Sequence, residues 1–487
     1  MAKQEEKKAQ DVQTEESSVD QLLSMLDTEQ QGALGEFIKR IGKEHEVYRL
    51  TGAVIDSYIA EIDQVISDQM DEILHHEEFQ ELESTWRGLH FLVQNTEFTK
   101  PVKIEVLDAG KEEVFEDLEE AAAGEGYEKD SALWHHVYWR AYDKVGGHPY
   151  TAMISDYRFQ NTNQDIKMLR HLSVLGEVAQ LPFIGNADPE FFGEKDFEKV
   201  MNNRFLEEIV KEDARYTAWR SFREDDRAKY IGLTLPRFLG RLTYGPETEP
   251  TKNFNYVENV YRDGKDHSLW VNTSFALASN MVRSFEKWGW SVKLVGVDSG
   301  GRVENLPTPT YEEHGQTKIK VPVEASVGQA KDQELCEMGF IPLAHWDRTD
   351  YACFFELPSV QRPKIIKNNP EATANYSVGA RLQYTFLVTR IAHYLKYRQL
   401  RFVGRNAGAG DIKKDLSTWL DTLVSDFPNP AESVIAERPL RSYSLEVHEL
   451  EDRPGFFQIV AEFRPHVAIV GMDIKLRLVA YHSAGEE

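Results

Sequence analysis

The period of the apolar residues changes along this chain, and each change limits what the surrounding stretch can fold into. Ile55, Ile59, Ile62, Ile66, Met70 and Ile73 recur every three or four residues, and Phe79, Leu82, Trp86, Leu89 and Val93 do the same. That spacing predicts two successive amphipathic helices. Helices of this kind need each other or a partner to cover their apolar stripes. At the other end, Tyr443, Leu445 and Val447 alternate with polar residues, as do Phe457, Ile459, Ala461 and Phe463, then Ile474, Leu476 and Leu478. A period of two is that of a half-buried strand. Arg453-Pro454-Gly455-Phe456 suits a type II turn between the first two runs. The C-terminus therefore reads as an antiparallel β module, entered through a helix over 411–427 and a proline-bearing linker from Pro428 to Pro439.

Between these ends the pattern is mixed α/β. Lys103 to Leu107 reads as a strand, and the acid-rich stretch from Lys111 to Asp130 as a solvated helix and loop. Tyr150 to Ser155 predicts a buried strand, Asp165 to Gln180 a helix, and Phe183-Ile184 the start of another strand. Leu269 to Val271, a helix capped at Thr273 or Ser274 and running to Trp288, and Trp290 to Val297 together predict a β-α-β unit. A short strand pair is expected within Ile341 to Leu357, and one long helix from Thr373 to Arg398. Residues 1–50 form an acidic arm, with helical periodicity beginning near Thr28.

Composition then excludes whole classes. A chain of 487 residues that is 41% hydrophobic, with 25 Phe, 20 Tyr and 9 Trp, can bury large cores, so wholesale disorder is ruled out. At ~150 residues per domain it has room for about three. A formal charge of −25 repels nucleic acid and anionic lipid. Cys336 and Cys353, the two cysteines, make neither a CxxC pair nor a metal cluster. Neither an apolar signal region nor a run of ~18 apolar residues occurs. These features predict a cytoplasmic protein without membrane insertion or nucleic-acid binding.

No catalytic or nucleotide signature is present: there is no GxxxxGK[ST], HExxH or GxSxG. Gly404 to Gly410 is glycine-rich but lacks the preceding strand of a dinucleotide fingerprint. Asp298-Ser299-Gly300-Gly301 could cradle an anion through its backbone N–H groups, though a tight turn needing positive φ explains it more simply. The adjacent histidines, His75-His76 and His135-His136, point about 100° apart on a helix and make no convergent metal site. No catalytic residue, cofactor or metal is expected. The competing reading is an α/β enzyme or nucleotide-regulated protein without a recognisable motif; a third is a monomeric binding module.

One electrostatic feature is unusual. Between Arg362 and Lys414, eleven Lys and Arg residues are opposed only by Glu371 and Asp411. The island either complements the acidic N-terminal half internally or offers a face to an acidic partner. The C-terminal strands raise the same question, because unpaired sheet edges are a liability unless neighbouring subunits add to them.

Specific segments point further. Ile73-Leu74-His75-His76 is followed by Leu82-Glu83-Ser84-Thr85-Trp86-Arg87-Gly88-Leu89, then by Leu172 to Ala179, Trp219 to Asp225 and Tyr230 to Pro236. Leu269 to Asn272, Gly300 to Val303, Gly339 to Leu343, Ser359 to Pro363, Arg390 to Lys396 and Arg464-Pro465-His466 complete the set. In their order and spacing these segments make the chain resemble the large subunit of the type VI secretion contractile sheath, the TssC/VipB family. The resemblance implies a non-enzymatic structural protein with a phage-tail-sheath-like fold, which pairs with a small sheath subunit and polymerises as a helical tube around an inner tube of hexamers. It further implies contacts with a baseplate and an AAA+ unfoldase. On this reading 51–98 is the helical region that meets the small subunit, with Ile59, Ile62, Ile66 and Met70 as contacts. Residues 99–427 are the α/β core, in which the helix over 411–427, with Lys413, Lys414 and Asp421, faces the inner tube. Residues 428–487 supply linker and interlocking strands through Tyr443, Leu445, Val447, Phe457, Ile459, Phe463, Ile474, Leu476 and Leu478.

Overall fold

The computed structural model describes residues 52–487 except 143, 145–146, 253, 263–264, 314–315, 320, 346–348, 350, 368, 400–401, 403–407, 426, 428–429, 450–456, 467–475 and 483–487. The arm over 1–50, the Arg453–Phe456 turn and Ile474 lie outside the described residues. The chain divides into two units, Met1–Phe79 with Thr243–His267, and Gln80–Leu242 with Ser268–Glu487.

In the first unit, α1 (Gly52–Leu74) buries Ser67, Asp71 and Leu74 on one side. Spacings of four and three put those residues on one face. The Thr243–His267 segment is tied to this face by polar contacts. Tyr256 Oη donates to Asp71 Oδ1 at 2.7 Å, and His75 Nε2 lies 3.2 Å from Glu258 Oε1. The His75 ring stacks on His267 with centroids 4.9 Å apart.

In the second unit, α2 (Glu77–Gln94, its first turn in the other unit) leads to α3 (Lys111–Ala123), β1 (Met153–Phe159), α4 (Asn163–Ala179), β2 (Phe183–Ala187), α5 (Thr217–Arg223) and β3 (Ile231–Leu235). Strands β1, β2 and β3 run parallel, and Ile341–Pro342 adds to β3 as a fourth parallel strand. All five residues of β2 and all five of β3 are buried, as a parallel sheet covered on both faces requires. Alternation divides them between two cores. Phe183, Ile231, Leu233 and Leu235 join α4 and the aromatic cluster of Phe191, Trp219 and Phe340. Ile184 and Ile341 face the opposite way, toward Phe275, Leu277 and Leu382.

The expected β-α-β unit forms only in part. Its first strand (Trp270–Val271) and α6 (Ser274–Trp288) are present. The N-terminus of α6 is fixed to the sheet by Asn186, whose Oδ1 accepts from Ser274 N at 3.0 Å and from Thr234 Oγ1 at 2.8 Å. Trp290 to Val297 is not a strand. Ser284 Oγ donates to Trp290 O at 2.8 Å and accepts from Lys293 N at 3.2 Å, which folds the segment back on its own helix, and Gly296 turns at φ 79°. Lys103 to Leu107 is likewise irregular, because only Ile104 reaches a core while Val106 and Leu107 are exposed. The short strand pair is present, Ala344–His345 against Ala352–Cys353. The single helix expected over Thr373–Arg398 is two, α7 (Pro370–Gly379) and α8 (Leu382–Gln399).

At the C-terminus α9 (Ala409–Leu420) replaces the longer helix expected to Phe427, and continues only as a 3₁₀ turn, Asp421–Leu423. The expected linker contains a short helix, Glu432–Glu437. Strands Leu440–Glu449, Phe457–Pro465 and Leu476–His482 then form an antiparallel sheet with the second at its centre. Leu445, Phe457, Ile459, Ala461 and Phe463 pack on Leu387, Ile391 and Leu395 of α8 and on Ile412, Leu416 and Leu420 of α9. The β module is therefore built onto the chain's own helices.

Candidate assembly surfaces

Three surfaces hold the residues singled out above. The first is on α1. Its isoleucines are not its buried face: Ile59 is 51% exposed, Ile62 40%, Ile66 39% and Ile73 48%, with Met70 half-buried. α2 behaves the same way, because Leu82, Trp86 and Val93 are exposed while Ser84, Gly88, Phe91 and Leu92 are buried. The inward face of α2 combines Phe91 and Leu92 with a glycine and a serine one turn and two turns earlier. Gly88 brings the helix against the Phe275 ring, where any Cβ would overlap the ring carbons, and Ser84 Oγ donates to Trp270 O at 2.8 Å.

The second surface is the C-terminal sheet. Leu445, Phe457, Ile459 and Phe463 are committed to the internal core, with Tyr443 and Val447 packed at its margin, and the outward side chains of the first strand are polar, among them Arg441, Ser444 and Glu446. The strand Leu440–Glu449 has one further parallel bridge, Leu440 to Val424, and beyond Leu440 its outer edge pairs with no described strand. The same is true of Leu476–His482. Such edges are templates for an added strand.

The third is α9. Lys413 and Lys414 are exposed. Asp421 is engaged internally, since its Oδ1 accepts from Tyr443 Oη at 2.7 Å. Burial, with that carboxylate beside it, raises the Tyr443 hydroxyl pKa. Much of the basic island is also satisfied at home. Lys364 pairs with Asp226 at 2.6 Å and Arg398 with Asp415 at 3.1 Å. Lys396 sits over the Tyr142 ring at 4.2 Å, and Arg390 over Tyr394 at 4.7 Å. Of these contacts only Lys364 with Asp226 is the expected pairing with an acid of the N-terminal half.

The other motifs resolve without chemistry. Gly300 takes φ 98°, and the N–H groups of Ser299 and Gly301 both bond Gly296 O, so the Asp298 turn has no free anion cradle there. His75 is held by Glu258, and His136 Nδ1 lies 3.0 Å from Arg140 Nη1. Cys336 and Cys353 are buried free thiols, and burial raises both pKa values. Among the described residues no three His, Cys, Asp or Glu side chains gather to hold a metal, and no helix is long and apolar enough to cross a membrane.

Sequence reasoning missed one residue that joins several of the quoted segments. The Arg223 guanidinium is buried and donates to Val360 O at 3.0 Å and Glu337 O at 2.8 Å, while Arg223 O accepts from Arg362 N at 2.7 Å. Burial and the nearby Arg362 charge lower its pKa to about 10. Gly339, at φ 88°, passes close to the same guanidinium. The segment Trp219 to Arg223 also holds Arg220, so nothing in the sequence singles out Arg223.

Exposed apolar helix faces and sheet edges that pair with no described strand are surfaces to which further chains can add. The comparisons agree. The model of the EvpB/VC_A0108 tail sheath N-terminal domain matches residues 56–361, and that of the EvpB/VC_A0108 tail sheath gpW/gp25-like domain matches residues 371–481. The chain is 36% identical over 437 residues to the type VI secretion system sheath protein TssC1 of Pseudomonas aeruginosa, covering 89% of this chain and 86% of that protein. The chain belongs to this type VI secretion tail sheath family. It is a structural component of the contractile sheath, and the family is not one of enzymes.

Proposed function

We propose that the chain pairs with a small sheath subunit through the exposed faces of α1 and α2, and that the pairs polymerise in the cytoplasm as a helical sheath around an inner tube of hexamers. The observation that carries the reading is the row Ile59, Ile62, Ile66 and Ile73, left in solvent on a helix whose opposite flank is pinned by Tyr256. Each isoleucine still has about half of its surface to lose to a partner, which contributes roughly 1 kcal/mol apiece, so a helix supplied by the small subunit gains stability there. Neighbouring protomers add strands to the open edges of the C-terminal sheet. α9 faces the inner tube through Lys413 and Lys414, while Asp421 orients Tyr443. Assembly starts on a baseplate and an AAA+ unfoldase recycles the contracted sheath.

Contraction on this reading exchanges one set of lateral contacts for a larger one while strand links persist, so the stroke needs no nucleotide. Deleting 443–487 would strip Leu445, Phe457, Ile459 and Phe463 from the internal core. Deleting 476–487 instead removes the outer strand that pairs with Phe457–Pro465 and leaves those four residues in place. Co-expressed with the small subunit, the shorter truncation is expected to form the heterodimer and no sheaths; normal sheaths would sink the strand-exchange reading.

A further inference from the structure

Residues 362–370 join the two regions that the family models match, and they hold the most exposed large apolar side chain among the described residues. Ile365 is 80% exposed, and Ile366 beside it 37%. The turn that carries them is held from several sides. Arg362 N donates to Arg223 O at 2.7 Å, and Lys364 pairs with Asp226 at 2.6 Å. Ile366 N donates to Thr373 Oγ1 at 3.0 Å, Ile366 O accepts from Asn369 N at 3.2 Å, and Asn369 caps α7 by accepting from Ala372 N at 2.9 Å. Ile365 is therefore presented on a pre-formed loop, which spares a partner the cost of ordering it. Arg362 and Lys367 flank it, both exposed, with no side-chain hydrogen bond or ion pair among the described residues. An apolar centre inside a charged rim is the anatomy of an interface.

A second surface of the chain has the opposite charge. Glu112, Glu116 and Glu120 recur every four residues on α3, so they lie on successive turns of one flank. All three are exposed and make no side-chain hydrogen bond or ion pair among the described residues. Like charges at this spacing weaken a helix, and a cation laid along them relieves it. The row is about 12 Å long at 1.5 Å per residue. Arg362 and Lys367 are at most about 17 Å apart along the backbone, so the two cations reach the row whichever way the loop lies across it. Val106, 69% exposed, and Leu107, 50% exposed, precede the same helix and supply the apolar part.

We infer that the loop 362–367 of one protomer docks on the flank of α3 of a second copy, where its two free cations meet the three glutamates and Ile365 is covered beside Val106 and Leu107. The occupant is argued from charge complementarity between two separate surfaces of this one chain. A contact of unlike patches is heterologous, and repeated head to tail it builds a ring or an open filament rather than a closed dimer. That is the kind of contact a polymerising subunit needs. The inference rests on the polymerisation proposed above; it does not use the pairing with the small subunit.

The test uses the full chain co-expressed with the small subunit, with sheaths measured by sedimentation and negative-stain microscopy at about 50 mM salt. Arg362→Glu with Lys367→Glu is expected to raise the concentration needed for sheaths at least about tenfold. Glu116→Lys with Glu120→Lys is expected to do the same, and both variants should still co-purify with the small subunit. Because the charges then exchange places, combining all four substitutions is expected to bring assembly back to within about threefold of wild type. Loss in each variant without recovery in the combination would mean that the two surfaces do not meet. Normal assembly of either variant alone would mean that its charges face solvent. Each of these results overturns the inference and leaves the polymer reading standing, whereas wild-type chain and small subunit that form no sheaths overturn both. A second measurement needs no loss of assembly. Cys336 and Cys353 are buried, so Ile365→Cys with Glu116→Cys supplies the accessible thiols for a short bismaleimide. A ladder of this chain, dimers and longer, cross-linked within sheaths supports the contact; sheaths that yield no ladder overturn it.

Discussion

The phenol of Tyr256 donates a 2.7 Å hydrogen bond to the buried carboxylate of Asp71, so the back of α1 is held by polar contacts while its isoleucines are left outward. Hydrogen bonds to charged groups contribute about 1.5–3 kcal/mol, and Asn259 N, 3.4 Å from the same oxygen, replaces little of that. Tyr256→Phe is expected to accelerate amide exchange across residues 63–74 by one to two orders of magnitude, roughly what 1.5–3 kcal/mol implies. Unchanged exchange would mean that the bond does not hold the helix.

Gly88 and Phe275 make a second, tighter dependency. Because a Cβ at Gly88 meets the Phe275 ring, Gly88→Ala is expected to destabilise by roughly 1–3 kcal/mol despite the better helix propensity of alanine. Phe275→Leu, which costs stability alone, should recover part of that loss in the double variant. A double-mutant cycle by urea denaturation reads the coupling, and additive effects would refute the contact.

These two helices also show how far the sequence could be read. Their existence and their apolar stripes follow from spacing alone. That the stripes stay exposed does not, because half of the buried face of α2 is Ser84 and Gly88, which carry no apolar signal, and the rest is Phe91 and Leu92, which lie off the three-and-four row. Of the parallel strands, only the beginnings of β1 and β2 follow from the sequence pattern; Ile231–Leu235 was not expected, and Ile341 was expected in a short strand pair rather than beside β3. Trp290 to Val297 looked strand-like, but Ser284 bonds its backbone from the preceding turn, a contact no local pattern encodes. In the C-terminal module, alternation gave the strands correctly; that their apolar face meets α8 and α9 depended on tertiary packing.

His393 contributes to the acid limb of stability. Burial, with Arg390 nearby, lowers its pKa from 6.5 to about 3, and its Nε2 donates to Ala179 O at 3.3 Å. Between those values the unfolded chain binds a proton that the folded chain refuses, so stability falls as pH drops below about 6.5, by up to about 1.4 kcal/mol per unit. His393→Gln is expected to flatten urea midpoints between pH 6.5 and pH 4.5 relative to wild type. Parallel curves would contradict this assignment.

Asp332 acts with the opposite sign. Burial, with the Glu356 charge, raises its pKa from 3.8 to about 6, and its Oδ1 has no hydrogen-bond partner. Its neutral form suits the fold, so its contribution is complete below about pH 4 and is lost as pH rises through about 6. Asp332→Asn should therefore gain stability over wild type at pH 7.5 and show little gain at pH 4. A gain that does not grow with pH would count against it.

Lys413 and Lys414 are exposed on α9, whose buried row is Ile412, Leu416 and Leu420. Lys413→Glu with Lys414→Glu is expected to leave folding and heterodimer formation unchanged, within about 0.5 kcal/mol, and to abolish co-assembly with the inner tube. Sheaths that still enclose the tube, seen in cross-section, would remove α9 from that interface.

The central claim is that this chain builds a sheath only together with a small sheath subunit. Negative-stain electron microscopy of the chain co-expressed with that subunit, beside the chain alone, tests it most directly. The account predicts hollow, cogwheel-ended tubules in the co-expressed sample and none from the chain alone. Discrete particles in both samples at high concentration would contradict it.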